Sequence, residues 1–182
     1  MSEVLILISG GIDSFACGHF LLANNFKVSG LFVDYGQQAA IAEVQSAKQV
    51  ARMLGIELRV ARLSSDQIFR SGEILGRNMF LLGTALLLST NIPSAVAMGL
   101  HSATPYYDSS RVFADRMSII LSEYTSGRTS LFVPFISWSK AEVVEYAKAS
   151  NLCLAATYSC EEGPTPCGQC LSCLDRKAFL AG

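Results

Sequence analysis

The stretch VLILISGGIDS, residues 4–14, decides how the rest of the sequence is interpreted. Its five consecutive apolar residues, 4–8, are typical of a strand covered on both faces, as strands of parallel sheets usually are. Two glycines follow, and the next apolar residues, within 12–24, recur at helical spacing. A buried strand that turns directly into a helix is the first half of a β-α-β unit.

Outward from this stretch, short apolar strands and helices alternate to the end of the chain. This order predicts one α/β domain, residues 1–182, built on a doubly wound, mostly parallel five-stranded sheet. Ligands of such sheets bind beyond the carboxyl ends of the strands, where the strand order reverses. The further strands are predicted at 28–33, 57–62, 95–99 and 130–133, and the helices at 12–24, 38–54, 77–90, 111–126, 139–148 and 171–180.

Residues 9–14, SGGIDS, form a candidate phosphate site at the first strand-helix turn. The backbone N–H groups and the positive helix end converge there, and the glycines let a phosphate approach. Ser9 and Ser14 add hydroxyl donors, whereas the Asp13 carboxylate would repel a phosphate, so Asp13 either caps the helix or holds a divalent cation. Neither Walker A nor GxGxxG fits this segment, and the alternative to a phosphate site is an ordinary capped turn.

The last part of the chain, residues 153–182, is rich in cysteine. Its spacing C-x6-C-x2-C-x2-C predicts a closed tetrahedral zinc site, which is more typical of a structural than of a catalytic metal. An iron–sulfur cluster takes the same thiolates, so the spacing leaves that alternative open. The remaining cysteines, Cys17 and Cys153, are predicted to pack in the core. The four predicted ligands are Cys160, Cys167, Cys170 and Cys173.

Composition narrows the classes of partner. The net charge is −1 and 16% of the residues are charged, which argues against direct nucleic-acid binding and favours a small-molecule site. The apolar run 79–88 is too short to span a membrane and is predicted as a buried core helix. The first residues lack the basic region of a signal peptide, so we expect a cytoplasmic protein with reduced thiols.

The SGGIDS loop resembles the PP-loop of the ATP-pyrophosphatase superfamily, whose members form acyl- or base-adenylates and release pyrophosphate. Together with the cysteine tail, the chain resembles the 7-cyano-7-deazaguanine synthase (QueC) family almost from end to end. The other stretches that carry the resemblance are DYGQ at 34–37, GRN at 76–78, Gly99, Tyr107-Asp108, Pro134, KAE at 140–142 and Arg176.

The resemblance implies an adenine nucleotide alpha hydrolase-like fold and an ATP-dependent C–N ligase that uses Mg²⁺ and carries Zn²⁺. Such a ligase adenylates 7-carboxy-7-deazaguanine, lets ammonia displace AMP to give an amide, and dehydrates the amide to the nitrile through a second activation. The resemblance also implies a homodimer.

Residue roles follow from the same resemblance. The pyrophosphate of ATP is assigned to Ser9, Gly10, Gly11, Asp13 and Ser14. The nucleotide or an adjoining substrate edge is assigned to Asp34, Tyr35 and Gly36, with Gly99 also at the nucleotide. The acyl substrate or its phosphate is assigned to Arg77 and Asn78. The residues expected to be catalytic are Asp13, Arg77, Asp108 and Lys140.

Two stretches depart from the family pattern. The connection 64–76 is shorter than in a typical synthase, and residues 103–110 keep little of the family's Asp-x-Ser-Gly-Tyr-Pro-Asp-Cys. Both lie where the substrate is read, so one alternative is a ligase that joins a deazaguanine or another acid to a protein amine. A PP-loop tRNA-modifying enzyme is a second alternative, which the charge and length disfavour, and a non-catalytic member of an assembly is a third.

Overall fold

The computed structural model describes residues 3–63, 66, 67, 69, 72–102 and 104–180, and within them five parallel strands form one sheet. The strands are β1 (Glu3–Leu7), β2 (Lys27–Asp34), β3 (Leu58–Arg62), β4 (Ala95–Ala97) and β5 (Ser130–Phe132). Their order is β3-β2-β1-β4-β5, so it reverses between β1 and β4, and the predicted doubly wound sheet is confirmed. Positions 64, 65, 68, 70 and 71 of the short connection, and position 103, lie outside the described residues.

Helices cover both faces of this sheet, which explains why the central strands β1 and β4 are apolar on both faces. The helices are α1 (Ile12–Ala23), α2 (Ala40–Leu54), α3 (Arg77–Leu87), α4 (Arg111–Tyr124), α5 (Lys140–Ala149) and α6 (Leu171–Leu180). Val4 and Ile6 of β1 face a core shared with α1, α2 and α5, whereas Leu5 and Leu7 face one shared with α3 and α4. Because successive side chains of a strand point to opposite faces, both faces must be apolar.

The α3 helix is less buried than its apolar sequence predicts. Only Asn78, Leu82 and Ala85 are buried in it, while Met79 is 55% exposed and Leu87 is 82% exposed. The prediction of a buried core helix is therefore wrong, since α3 lies in the outer layer and contacts the sheet along one stripe. Apolar sequence alone does not separate these two situations.

Two smaller predictions fail for a similar reason. The sequence places five apolar residues on one face of α4, namely Phe113, Met117, Ile120, Leu121 and Tyr124. Ile120 and Tyr124 are instead 39% and 83% exposed, and the other three form the buried face. Cys17 is buried as predicted, whereas Cys153 is exposed and does not pack in the core.

Local signals at the helix ends hold. The sequence predicts Gly55 as the C-cap of α2, and Gly55 ends that helix in the left-handed conformation, with φ +69°. The spacing of Ser139 and Glu142 predicts a capping box, and the structure contains it: the Ser139 hydroxyl accepts from the Glu142 N–H and the Glu142 carboxylate accepts from the Ser139 N–H. This cap fixes where α5 begins, and its first residue is Lys140.

Candidate active site

A cleft of about 420 Å³ lies beyond the carboxyl ends of β1, β2 and β4, where the strand order reverses. Its size and position are those expected for the ligand site of a doubly wound sheet. Leu7, Val33 and Met98, at the ends of the three strands, contribute to its lining. The edge of the sheet that the sequence indicates therefore contains a cleft.

The SGGIDS loop lines this cleft with backbone donors that the helix after it does not use. The Phe15 N–H makes the first helical hydrogen bond, to Gly11 O at 3.1 Å, so the N–H groups of residues 12–14 have no partner inside α1. The Ser14 hydroxyl donates to Gly11 O at 3.0 Å and lies 3.3 Å from the Ser9 hydroxyl. Backbone and hydroxyl donors thus converge at one point, as an anion site requires.

Two glycines near the loop serve close packing. Gly10 has φ +84°, and a Cβ there would lie 2.8 Å from backbone atoms of Glu43 and Ala47 in α2. A Cβ at Gly99 would lie 2.5 Å from Asp13 O, so the end of β4 can approach the first turn of α1 only without a side chain. Both glycines therefore act through close backbone packing, which sets the shape of the loop.

Asp13 is paired with Lys140 across 127 positions of sequence. The Lys140 ammonium donates to both carboxylate oxygens, at 2.6 and 2.7 Å, and the two side chains are only 28% and 17% exposed. The Asp13 carboxylate accepts these bonds instead of capping α1, so the first of the two alternatives for this residue is wrong. The pair brings together two of the residues expected to be catalytic.

His101 lies beside this pair and was not singled out from the sequence. Its Nε2 is 3.8 Å from Asp13 Oδ2, and its side chain is 13% exposed. Burial lowers the pKa of His101; the Lys140 ammonium lowers it further, against the opposing effects of Asp13 and Asp175. Its position two residues after Gly99, at the carboxyl end of an apolar strand, is the signal that could have identified it.

On the β2 side of the cleft, Gln37 orders a second polar group. Its amide oxygen accepts from the Tyr35 N–H at 2.9 Å, and its amide nitrogen donates to Glu43 Oε2 at 2.8 Å. Arg77 lines the same cleft, and its positive charge opposes the rise that burial causes in the pKa of Tyr35. Burial raises the pKa of Glu43, while the bond from Gln37 and the charge of Arg77 oppose the rise. Sequence reasoning did not predict Gln37 or Glu43 as site residues, because polar side chains are common where a helix begins.

Asn78 and Asp108 bind each other. The Asp108 carboxylate accepts from the Asn78 N–H at 3.2 Å, and the Asn78 amide donates to Asp108 O at 2.9 Å. Both residues are buried, at 2% and 8% exposure, and of the two only Asn78 lines the cleft. The pair fastens the start of α3 to the 3₁₀ turn Tyr107–Ser109, and the catalytic role of Asp108 stays a prediction.

Asp34 and Gly36 form the turn that follows β2. The Asp34 carboxylate accepts from the Gly36 N–H at 3.2 Å and lies 3.9 Å from the Arg62 guanidinium. Gly36 has φ +91°, which favours glycine. Tyr35, between them, lines the cleft, whereas Asp34 and Gly36 support it from behind.

The four predicted metal ligands converge. Their sulfur atoms all lie within 4.8 Å of one another, which fits one tetrahedral ion because Zn–S bonds of about 2.3 Å place sulfurs about 3.8 Å apart. Burial opposes ionisation of Cys160, but the N–H groups of Cys167 and Glu162 donate to its sulfur and lower its pKa to about 6. Backbone donors of this kind favour the thiolate that a metal needs. The cluster comprises Cys160, Cys167, Cys170 and Cys173.

The cysteine tail also forms a wall of the cleft. The Glu161 carboxylate accepts from the Ser172 hydroxyl at 2.5 Å and from the Gly72 N–H at 3.3 Å, so it joins α6 to the short connection before α3. Arg176 donates to Thr157 Oγ1 at 2.7 Å and to Leu154 O at 2.8 Å. The predicted metal centre and the cleft are therefore neighbouring parts of one structure.

Comparison with known proteins defines the family. The family model described as "Queuosine biosynthesis protein QueC" matches residues 3–74 and 60–181, which together take in nearly the whole chain. The chain belongs to the QueC family. The two matches of the QueC model overlap at residues 60–74, which include most of the connection that is short here. As a QueC-family member, the chain is an enzyme of the ATP-dependent PP-loop class.

Curated relatives match the QueC-family chain along almost its full length. A protein from Desulfitobacterium hafniense named 7-cyano-7-deazaguanine synthase 1 is 28% identical over 203 residues, covering 98% of this chain and 91% of the relative. A 7-cyano-7-deazaguanine synthase from Synechococcus sp. is 30% identical over 216 residues, covering 98% and 94%. Both alignments exceed the 182 residues of this chain, so it is shortened by internal gaps.

A solved structure supports the fold alone. A predicted subunit of a tRNA methyltransferase from Methanocaldococcus jannaschii matches with a TM-score of 0.50 and 13% identity, covering 87% of this chain and 92% of the other. Within the described part of the QueC-family chain, no helix combines the length and apolarity needed to cross a bilayer.

Proposed function

We propose that this enzyme uses ATP to adenylate the carboxylate of 7-carboxy-7-deazaguanine and that ammonia then displaces AMP to give the amide. A second activation by ATP removes the amide oxygen and leaves the nitrile, 7-cyano-7-deazaguanine. The observation that carries the proposal is the SGGIDS loop, which opens its backbone donors on the cleft beside the Asp13–Lys140 pair. The names of the curated relatives support the same reaction.

In this proposal the loop holds the pyrophosphate end of ATP. The N–H groups of residues 12–14 and the hydroxyls of Ser9 and Ser14 stabilise the negative charge that grows on the leaving pyrophosphate. Lys140 adds a positive charge at the rim of the loop. Asp13 is the loop residue whose oxygens suit Mg²⁺, which when bound neutralises phosphate charge.

In this proposal, residues on two sides of the cleft bind and orient the acid. Tyr35 presents its ring on the β2 side, and the Arg77 guanidinium faces the acid or its phosphate from the start of α3. Asn78 and Asp108 hold that start of α3 in place. Alignment of the carboxylate with the α-phosphate is the main contribution expected of such residues.

The cysteine cluster holds Zn²⁺ in this proposal. Four thiolates leave no position open for a substrate, so the ion acts on the shape of the tail and not on the reaction. Residues 1–182 then work as one domain, with 153–182 as its metal-binding part.

A second candidate is a QueC-like ligase that passes the activated acid to a protein amine. The observation in its favour is the shortened chain, since both departures from the family fall at the substrate side of the cleft and less sequence is available to cover it. The adenylation half is the same in both candidates, and only the amine differs.

The proposal extends to the setting of the enzyme. We place it in the cytoplasm, as a homodimer, acting on a small acid and ammonia without direct contact to nucleic acid. The exposed apolar side chains on the outer layer of α3 and α4 support self-association.

The test is a reaction of the purified enzyme with ATP, Mg²⁺, 7-carboxy-7-deazaguanine and ammonia, following AMP and pyrophosphate and identifying the product by mass. We expect both to form only when the acid is present, with nitrile as the final product. AMP formed only with another acid or a protein amine would refute the synthase and retain the ligase. Absence of AMP with every acid and amine would refute adenylation.

A further inference from the structure

We propose that Glu43 and Arg77 form a guanine-selective contact: Glu43 accepts from the two adjacent N–H donors of a guanine-type ring, and Arg77 donates to its carbonyl oxygen. The inference rests on the proposed function, since it names the part of the cleft that recognises the acid. It also assigns the β2 side of the cleft to the substrate ring and not to the adenine of ATP.

The first step is that Gln37 binds one oxygen of the Glu43 carboxylate. The Gln37 amide oxygen accepts from the Tyr35 N–H, so its nitrogen must face Val33 O at 3.3 Å and Glu43 Oε2 at 2.8 Å. Turning this amide over would set two donors against each other. Gln37 therefore always turns its donor nitrogen toward Glu43 and ties one oxygen of that carboxylate, Oε2.

The second step is that Glu43 lacks a full set of partners. Among the described residues, its carboxylate accepts one side-chain hydrogen bond, from Gln37, although a carboxylate has room for about four. Glu43 is half-buried in the wall of the cleft, so only part of its carboxylate is open to water, and burial raises its pKa. A half-buried acceptor with open positions, in the lining of a cleft, is suited to a ligand that brings N–H groups.

The third step concerns charge. The positive charge of Arg77 acts on both Glu43 and Tyr35, and all three residues line the cleft. A guanine-type ring offers one carbonyl acceptor followed by two N–H donors along one edge. A guanidinium beside a carboxylate matches that order, because the guanidinium donates to the carbonyl and the carboxylate accepts from the N–H groups. Adenine offers an amino donor followed by a ring-nitrogen acceptor, so the carboxylate would face the lone pair of that nitrogen.

The experiment compares two acids that differ by one amino group. Acid-dependent ATP–pyrophosphate exchange is measured with 7-carboxy-7-deazaguanine and with its analogue lacking the exocyclic amine, for wild type, Glu43→Gln and Glu145→Gln. Glu145 is an exposed carboxylate on α5 and serves as the matched control. Binding of each acid without ATP is measured by calorimetry on the same proteins.

We expect wild type to prefer the amino form by about tenfold or more, and Glu43→Gln to lose most of that preference through KM for the acid. KM for ATP should not change, and Glu145→Gln should match wild type. An unchanged preference in Glu43→Gln, or an effect on KM for ATP alone, would overturn the inference. If no acid supports exchange, the proposed reaction fails, while calorimetry still decides whether Glu43 selects the guanine-type ring.

Discussion

At the scale of single residues, the site depends on contacts between distant parts of the chain. Asp13 and Lys140 lie in two helices that begin at the same edge of the sheet, and each neutralises the other in a poorly solvated position. The pair is oriented by the cap of α5 on one side and by the close approach of Gly99 on the other.

The first prediction concerns this pair. Lys140→Met should lower kcat/KM for ATP by about 100-fold, because it removes the positive charge beside the phosphate loop. Lys148→Met, an exposed lysine in the last turn of the same helix, is the control and should leave the rate unchanged. Steady-state AMP release measures the effect, and equal rates for both variants would remove Lys140 from the site.

The second prediction concerns Gly99. Gly99→Ala should destabilise the protein by about 1–3 kcal/mol, since the new Cβ would lie 2.5 Å from Asp13 O and backbone must move. Gly83→Ala, in the middle of α3 with nothing within 4 Å of its Cβ, should instead stabilise by up to about 1 kcal/mol. Urea unfolding measures both, and a neutral Gly99→Ala would contradict the packing argument.

At the scale of helices and strands, local signals were sufficient for much of the fold. The apolar runs predict the strands and the burial of the central ones on both faces, and an alternating stretch predicts β3, which lies at the edge of the sheet. Gly55 and Ser139 mark helix ends correctly. What local signals could not supply is which side of an apolar helix meets the sheet, as Met79 and Tyr124 show. The sequence also did not predict the polar partners of Glu43 and His101, because no local pattern near either residue indicates which side chains it contacts.

The third prediction concerns the outer layer formed by α3 and α4. Leu87→Glu should weaken self-association by tenfold or more, because it places a charge among exposed apolar side chains. Ile41→Glu, a similarly exposed apolar position on α2, is the control and should leave association unchanged. Sedimentation velocity over a range of concentrations measures the dimer, and a monomer at every concentration would refute the proposed homodimer.

At the scale of the whole molecule, the metal cluster and the cleft are parts of the same wall. Glu161 lies next to the ligand Cys160 and reaches the connection before α3, while Arg176, in the helix that contains the ligand Cys173, holds the segment around Thr157. Loss of the metal should therefore disturb the wall of the cleft directly, through these contacts, while the sheet stays intact.

The fourth prediction follows from this arrangement. Removing the metal with a chelator should abolish acid-dependent AMP formation and expose residues 153–180 to hydrogen exchange, while β1 stays protected. Metal occupancy should fall as the pH falls, because the four thiols must lose their protons to bind an ion. Elemental analysis should give one zinc per chain, and iron in place of zinc would favour an iron–sulfur cluster.

The residues that pack behind the SGGIDS loop affect how the chain folds. Gly10 O accepts from the Tyr158 N–H at 3.0 Å, and the Ser46 hydroxyl lies 2.7 Å from Gly10 O and 2.8 Å from Ala156 O. The loop near the beginning of the chain is thus completed by residues near its end, a contact of high sequence separation that forms slowly. On the ribosome, the first β-α unit emerges early but cannot make these contacts until residues 156–158 have been synthesised, well over a hundred positions later.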